Sequence, residues 1–574
     1  MAERTFDYVI VGAGTAGCVV ARRIADKSNH SVCVVEAGDW ADERDWRIRM
    51  PAGVFKLFAD STQGKNPYDW QYSSIPQAHL NNRVVREPKG KAVGGSSVVN
   101  VMIHVRGNPQ DFDRWANQEG CLGWSYKECL PYFKRSESYI NSESIARDRS
   151  RSCEEVKDSK NDSAYRGSTG PLKVTSGEIV HERAGAHPFY PAFIQACVEK
   201  GFPFRADLNG PEQEGVGWYD LAVADGERQD EGTAFLMEVV KARRVTLLAN
   251  TLATKILLEH TDDGQLRAVG VECCEGAAQG QPMRLLARRE VVLCAGAINS
   301  PKLLMLSGIG DSIELSNLGI QVVQHLPGVG KNLQDHLALF MEYWTQDKPM
   351  VSVEGWEETH EKWACLFRSW NEQRSGILSG HQRFVVAFLK SKPEVLYPDL
   401  QYHPVATCTK ISQGSLRFAE GAMLIVTALK PPTRGSIKLA SKDPFQAPLI
   451  NPNFLATQEE LDALITCVEF GRSLFKHPVL DPFVGKEITP GAAAQSRDAI
   501  GEWAKRAATT AHHSCGTCKM GPPSDPMAVL DPQLRVRGVA GLSVADASVF
   551  PSITSGNTNA PVMMVAERAA DFLI

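Results

Sequence analysis

The chain has no uncharged apolar stretch of about 18 residues, so no membrane-spanning helix is expected. It has no long run of lysine or arginine, and its net charge is −5. Nucleic acid and anionic membranes are therefore poor candidates for partners. Its first residues, Met1-Ala2-Glu3-Arg4-Thr5-Phe6-Asp7, carry acids and no apolar core, so no secretory signal is read there. The last, Asp571-Phe572-Leu573-Ile574, form no recognised address, and a cytoplasmic protein is the expectation. No long-period repeat is visible. His104, His336 and His381 have no ligand spacing with other metal-type residues, so no metal is expected. Cysteine is not scarce, at 14 residues. Yet Cys33, Cys197, Cys294 and Cys467 sit in apolar runs, where the thiol behaves as a small buried hydrophobe, and reduced thiols are the reading. At 43% hydrophobic and 22% charged the composition is that of an ordinary globular protein, and 574 residues imply two to four domains.

What is present is organised around Gly12-Ala13-Gly14-Thr15-Ala16-Gly17. The apolar run Tyr8-Val9-Ile10-Val11 precedes it and Cys18-Val19-Val20-Ala21-Arg22-Arg23-Ile24 follows. A second apolar run, Val32-Cys33-Val34-Val35, ends in Glu36. Strand, glycine turn, helix, strand and terminal acid spell a βαβ dinucleotide site. The glycines let backbone approach a pyrophosphate, the helix N-terminus faces it, and Glu36 can accept from ribose hydroxyls.

Further on, Gly90-Lys91-Ala92-Val93-Gly94-Gly95-Ser96-Ser97-Val98-Val99-Asn100 suggests backbone packed against a ligand, with apolar flanks favouring burial. Ser136 to Thr169 is polar and charged and reads as a mobile surface excursion. Residues 244–258 look like strands, as does Arg289 to Ala297. Ser300 to Gly308 reads as a helix with Ser300 as N-cap and Pro301 at its first position. Between 338 and 440, Leu339–Trp344, Arg383–Leu389, Met423–Leu429 and Gly435–Leu439 suggest a mostly antiparallel sheet. Residues 457–476 carry a helical apolar period. Leu542 to Ser548 is a strand ending in Asp546, and Asn557-Thr558-Asn559-Ala560-Pro561 opens an apolar helix from Val562 to Leu573, with Asn557 a candidate N-cap. The two ends of the chain thus share one domain and the middle forms another.

Five ordered motifs carry a resemblance that runs nearly end to end. They are the loop 12–17, the segment 90–103, Gly296-Ala297-Ile298-Asn299-Ser300-Pro301 through Gly308-Ile309-Gly310, Gly328 through Asp335-His336, and His513-Ser514-Cys515-Gly516-Thr517-Cys518-Lys519-Met520-Gly521. The chain resembles the glucose–methanol–choline (GMC) family of flavoprotein oxidoreductases, its choline-dehydrogenase-like and alcohol-oxidase-like branches nearest. The resemblance implies an α/β protein. A Rossmann-like FAD-binding domain is built from residues 1–160, 221–335 and 506–574. An α+β substrate domain from 161–220 and 336–505 carries the antiparallel sheet flanked by helices. It implies FAD, a small-molecule alcohol oxidised to a carbonyl, and oxygen or another electron acceptor, in a monomer or homodimer.

His513 matches the family's general base on the substrate hydroxyl, acting as hydride leaves for flavin N5. Asn557 matches the second site residue, an amide that bonds the substrate oxygen without titrating. Asn100, Val101, Met102 and Ile103 match the stretch lining the flavin, Asp546 a position near the ribityl chain, and Ala253 a backbone contact to adenine. Gly12, Ala13, Gly14, Thr15, Ala16, Gly17, Glu36, Ala37, Val93, Gly95, Ala547 and Thr558 complete the implied cofactor set. Some relatives attach FAD through a His just before the Asn; here Val99 stands there, so FAD is expected to be non-covalent. The Cys515-Gly516-Thr517-Cys518 run imitates a redox dithiol but lies within the flavin-site motif, and is read as structural. His512 is read as a packing or neighbouring pocket group, and Trp356, Trp363, Phe367 and Trp370 as packing. A lyase or cyclase of the same fold that uses FAD without redox turnover is the alternative. A light-driven fatty acid decarboxylase is remote, because His513 is present and Ser379-Gly380-His381-Gln382-Arg383 lacks the Cys of that branch.

Overall fold

Val9, Ile10 and Val11, and all of Val32–Val35, are buried. Such runs, apolar on both faces, form parallel strands covered on both sides. The computed structural model describes residues 2–41, 45–141, 162–276, 280–345, 360–412 and 415–574. In it Ala2–Val11, Val32–Val35, Val245–Leu248 and Pro282–Leu293 build a parallel sheet. Leu266–Glu275 and Thr251–His260 extend it antiparallel. Leu542–Val544 pairs in parallel with Pro282–Leu293. Two neighbours in this sheet are therefore separated by about half the chain. The closing helix Asn559–Leu573 packs on Thr15–Lys27, fixed by Arg23 on the fully buried Glu567 (2.7 Å) and by the Tyr8 hydroxyl donating to the Leu573 carbonyl (2.5 Å).

The second large sheet is antiparallel throughout. Its order is Glu487–Thr489, Leu337–Tyr343, Ala422–Ala428, Leu400–Val405, Val385–Leu389, Gly215–Trp218, with Thr509–Thr510 also on Leu337–Tyr343. The anticipated strand at Gly435–Leu439 pairs instead with Leu449–Asn451 in a separate two-stranded sheet. Helix Gln458–Phe475 stands where the apolar period put it. The expected excursion from Ser136 is corrected at its start. Glu137–Ile140 is a strand paired with Leu172–Ser176, and the buried Glu137 carboxylate is held by Arg106 (2.7 Å), His104 (3.2 Å) and Arg166 (3.4 Å). The bulk of that excursion, residues 142–161, lies outside the described residues, as does Trp356. Trp370 is buried against Met50, Ala52 and Leu378, with Phe367 beside it, so these two rings pack rather than line a site.

Two helix starts differ from expectation. The helix expected from Ser300 begins at Gly296, so Pro301 lies inside it. A proline there offers no N–H to the carbonyl four residues back. Ala297 is that residue, and the Thr517 hydroxyl donates to its oxygen at 2.6 Å. A buried threonine thus supplies the hydrogen bond that the proline withdraws. Replacing Thr517 by valine, similar in shape but without the hydroxyl, orphans the carbonyl and is expected to destabilise the fold by about 1–3 kcal/mol, read as a lowered urea midpoint. An unchanged midpoint would show that the carbonyl finds another donor. The last helix begins at Asn559 with Thr558 before it, and no side chain caps it. Asn557 is therefore not an N-cap, and its amide is committed elsewhere.

Candidate active site

A cavity of about 820 Å³ separates the two large sheets, within the size range of small-molecule sites. One wall is main chain: Gly12 and Gly14 at the end of Ala2–Val11, Gly95 at the start of a short helical turn, and Gly296. The other is the inner face of the antiparallel sheet: Ala338, Phe340 and Glu342 on one strand, Met423, Ile425 and Thr427 on the next. The two glycine loops pack backbone on backbone, with the Gly94 N–H donating to the Ala13 carbonyl at 2.7 Å. The N-termini of Thr15–Lys27 and Asn559–Leu573 meet at the cavity, where the Thr15 hydroxyl donates to Asn559 Oδ1 at 2.7 Å.

The anticipated site residues are brought together here. Gly12, Gly14, Thr15, Ala16, Glu36, Ala37, Gly95, Asn100, Val101, Met102, Ile103, Ala253, Asp546, Ala547, Thr558, His513 and Asn557 line the cavity, and so does Val99. Ala13, Gly17 and Val93 do not. Ala13 and Val93 stand one layer behind the lining, and Gly17 lies so close to Gly12 that a Cβ would meet its oxygen at 1.9 Å. Glu36 receives the N–H of Ala13 and of Gly38, both at 2.8 Å, and burial pushes its carboxyl up to about 7. Asp546 accepts from the N–H of Gly296 and of Ser548, each at 2.8 Å, capping two helical segments from one buried carboxylate. It is not a hydrated strand-end acid.

At the junction of the sheets stands His513. Its Nδ1 lies 2.9 Å from His336 Nδ1 and its Nε2 3.0 Å from Asn557 Nδ2, while its own N–H is anchored on Asp335 at 2.8 Å. The tautomers follow from the partners. His336 Nε2 lies 3.1 Å from the Leu429 carbonyl, which can only accept, so Nε2 carries hydrogen. Burial holds His336 down to about 3, so it is neutral and its Nδ1 is bare. His513 must then donate from Nδ1, which leaves Nε2 as the bare nitrogen. Burial and the adjoining imidazoles of His336 and His512 hold His513 well below its usual range. It is a neutral base, lone pair toward the cavity.

Comparison with known proteins places this constellation. The GMC oxidoreductase family models match residues 6–338 and 431–566. The human mitochondrial choline dehydrogenase is 38% identical over 574 residues, covering 99% of this chain and 89% of the relative. An oxygen-dependent choline dehydrogenase of Vibrio vulnificus is 36% identical over 100% of this chain and 95% of its own. Among solved structures, a pyridoxine 4-oxidase from Mesorbium loti superposes with TM-score 0.82 at 27% identity over 98% of both chains. A formate oxidase of Aspergillus oryzae, from work on FAD modification, gives 0.85 at 26% identity over 99% of this chain and 98% of its own. The chain belongs to the GMC oxidoreductase family. It is an FAD-dependent oxidoreductase acting on alcohols.

The cavity fits that cofactor on its own terms. Its wall is side-chain-free at Gly12, Gly14 and Gly296, and a Cβ added to Gly296 would meet nothing within 4 Å, projecting into open space. Two helix N-termini at the same place suit a pyrophosphate. Among the described residues no group of three potential metal ligands occurs, and no helix is long and apolar enough to cross a membrane. Cys515 and Cys518 are buried, and burial raises both thiols, opposite to what a reactive dithiol requires.

Several residues of the site escaped the sequence reading. His336 and Asp335 lie in a motif that was recognised, but nothing in it says that they hold His513. His403 reaches the cavity through the sheet's register, opposite Ile425, and Arg383 from the residues just before the strand Val385–Leu389. His512, read from the sequence as a packing or neighbouring pocket group, has φ +69° and turns its ring into the cavity wall against Phe58. Behind His513, the fully buried Glu87 faces Asp335, and burial with that second carboxylate pushes it up to about 8 from its usual 4.5. A carboxyl raised on folding is protonated in the folded state and ionised in the unfolded chain between these values. Stability is therefore lost as pH rises from about 4.5 to about 8. Glu87→Gln mimics the protonated acid, and its melting temperature is expected to fall less than wild type between pH 5 and 8.5. Parallel slopes would contradict it.

Proposed function

We propose that the enzyme oxidises a small alcohol to a carbonyl with His513 as the base that takes the hydroxyl proton on Nε2 and Asn557 as the partner that orients the substrate oxygen. The observation that carries this reading is the chain Leu429 carbonyl, His336, His513, Asn557, in which each hydrogen bond fixes the next donor. His336 keeps the proton on Nδ1 of His513, so the vacant nitrogen always faces the cavity. In the resting arrangement Asn557 donates to that nitrogen, while its own buried Oδ1 has no partner among the described residues. An alcohol entering here takes the place of the amide N–H at Nε2. The carbonyl oxygen of Asn557 remains to hold a second polar group of the substrate.

FAD, when bound, supplies the acceptor for the hydride that leaves the carbon as the proton goes to His513. The residues that would hold it are the backbone of Gly12, Gly14 and Gly95, the N-termini of Thr15–Lys27 and Asn559–Leu573, and Glu36 with Ala253 at the nucleotide end. Asn100 to Ile103, Asp546, Ala547 and Thr558 belong to the same set. The attachment is non-covalent, because Val99 lines the cavity with an alkyl group that cannot bond to the ring. Segments 1–160, 221–335 and 506–574 would form the cofactor domain, 161–220 and 336–505 the substrate domain. A reducing compartment such as the cytoplasm suits the buried thiols. Oxygen or a second acceptor would reoxidise the flavin, in a monomer or homodimer.

The test is spectroscopic. The purified protein is expected to be yellow, to release its flavin into acid, and to bleach when an alcohol is added anaerobically. A yellow protein that no alcohol bleaches would overturn this reading in favour of a non-redox use of FAD.

A further inference from the structure

The substrate side of the cavity holds a cation with no counterion among the described residues. Arg383 precedes the strand Val385–Leu389 and lines the cavity. Among the described residues its guanidinium meets no carboxylate within ion-pair distance, and its Nε is buried without an acceptor. Two more deeply buried arginines, Arg106 and Arg166, pair with Glu137, while Arg228 donates to two carbonyls and to Asn100. The cavity's carboxylates do not offset Arg383. Glu36 and Asp546 are committed to backbone N–H groups, Asp69 accepts from the N–H of Gln71 and of Lys89, and Glu342 stands three strands away, about 14 Å at ordinary strand spacing.

Its immediate neighbours add donors. His403 lines the same wall, and the Tyr219 hydroxyl bonds its Nδ1 at 2.6 Å. That hydroxyl takes a hydrogen from Gln401 at 3.0 Å and so gives its own to His403. The neutral ring then carries hydrogen on Nε2, for which no acceptor stands among the described residues. Burial lowers the pKa of His403 to about 3, so it adds a donor without adding charge. A planar fork of N–H groups with one further N–H beside it is the geometry that a carboxylate accepts. A guanidinium in the wall of a cavity, with no carboxylate beside it among the described residues, carries a desolvation cost that an anionic ligand would offset.

We propose that the substrate is a hydroxy-carboxylate, its carboxylate on Arg383 and His403 and its alcohol at His513. This rests on the reading of His513 as the alcohol's base. It sets the enzyme apart from an oxidase of quaternary ammonium alcohols, because a guanidinium in the pocket wall repels a cation. Substrate is then supplied by any reaction that leaves a carboxylate and a hydroxyl on one small skeleton, and the product is the corresponding oxo-acid.

The holoenzyme tests this with three probes of matched length: 4-hydroxybutyrate, its neutral counterpart 1-butanol, and choline. Anaerobic bleaching is expected to half-saturate with 4-hydroxybutyrate at a concentration at least about ten-fold below either of the others, the factor that one charged hydrogen bond of about 1.4 kcal/mol supplies. Arg383→Met is expected to erase that preference and Arg383→Lys to keep part of it. A second readout needs no turnover: butyrate, which cannot be oxidised, is expected to raise the melting temperature of wild type but not of Arg383→Met. Choline or butanol bleaching at the lower concentration, or a butyrate shift untouched in Arg383→Met, would overturn the proposal. So would glycerol phosphate bleaching ahead of 4-hydroxybutyrate, which would place a phosphate on Arg383. Should no alcohol bleach while butyrate still stabilises through Arg383, the anion site stands and the alcohol reading of His513 falls. Should Arg383→Met fail to fold, the ranking of probes on wild type and Arg383→Lys still decides.

Discussion

His513→Ala is expected to slow anaerobic flavin reduction by about 10²- to 10⁴-fold, the usual weight of a positioned general base, while FAD content stays at the wild-type level. The argument is geometric. Of the imidazoles that line the cavity, His513 is the one with a neighbour on each ring nitrogen among the described residues, Nδ1 engaged by His336 at 2.9 Å and Nε2 facing the cavity. Burial and the adjoining rings favour its neutral form, so under the proposed role it would meet the alcohol with its lone pair available. Asn557 cannot replace it, since an amide does not titrate. His512 lines the cavity too, but its ring is turned to Phe58 and among the described residues it has no partner equivalent to His336. Alanine also leaves His336 Nδ1 without its donor, a cost of about 1–3 kcal/mol. His513→Gln separates the two effects, because its amide can donate to His336. It is expected to melt close to wild type and still reduce slowly. Reduction within ten-fold of wild type in both variants would show that another group takes the proton.

How far the sequence revealed this site differs from residue to residue, and the reason is where the information sits. The cofactor half was legible because it is local: glycine spacing, a strand on each side and an acid at the strand end state the fold and its ligand together. Asp546 and Thr558 were legible in place, yet their work was not. Asp546 caps Gly296 and Ser548, and only the three-dimensional meeting of segments 250 residues apart reveals that. Pro301 misled the helix start, because a proline usually marks a first turn; here Thr517, more than 200 residues later, takes over its missing bond. The substrate half was least legible. His403 reaches the cavity because the register sets it on one face with Ile425 and Phe340, and Arg383 is an ordinary residue just before a strand that no pattern marks. Period-two patterns say which residues share a face but not what that face meets.

Gly12→Ala is expected to abolish the yellow colour. Gly12 sits at φ +99°, where a side chain is strained, and an added Cβ would lie 2.5 Å from the Cys294 carbonyl oxygen and 2.8 Å from its carbon. Those are main-chain atoms of the neighbouring strand end, which cannot turn aside as a flexible side chain would. The loop must move, and with it the Gly12 oxygen that already fits so tightly under Gly17. Gly94 bonds the Ala13 carbonyl and a Cβ on Gly95 would stand 2.7 Å from Gly14 Cα, so a shift of the first glycine loop is passed to the second. Both loops wall the cavity. Left-handed strain and overpacking each cost about 1–3 kcal/mol. If binding carries the combined cost of about 2–6 kcal/mol, FAD affinity falls by about 30- to 2 × 10⁴-fold at 1.4 kcal/mol per decade. Gly264→Ala is the control. Gly264 is at φ +82° in a hairpin turn with nothing within 4 Å of its added Cβ. That variant bears strain alone and is expected to stay yellow at full flavin content. The measurement is flavin released per protein on denaturation. A Gly12→Ala protein as yellow as wild type would mean that the glycine is there for the turn and not for the cofactor, and the backbone wall would lose its assigned purpose.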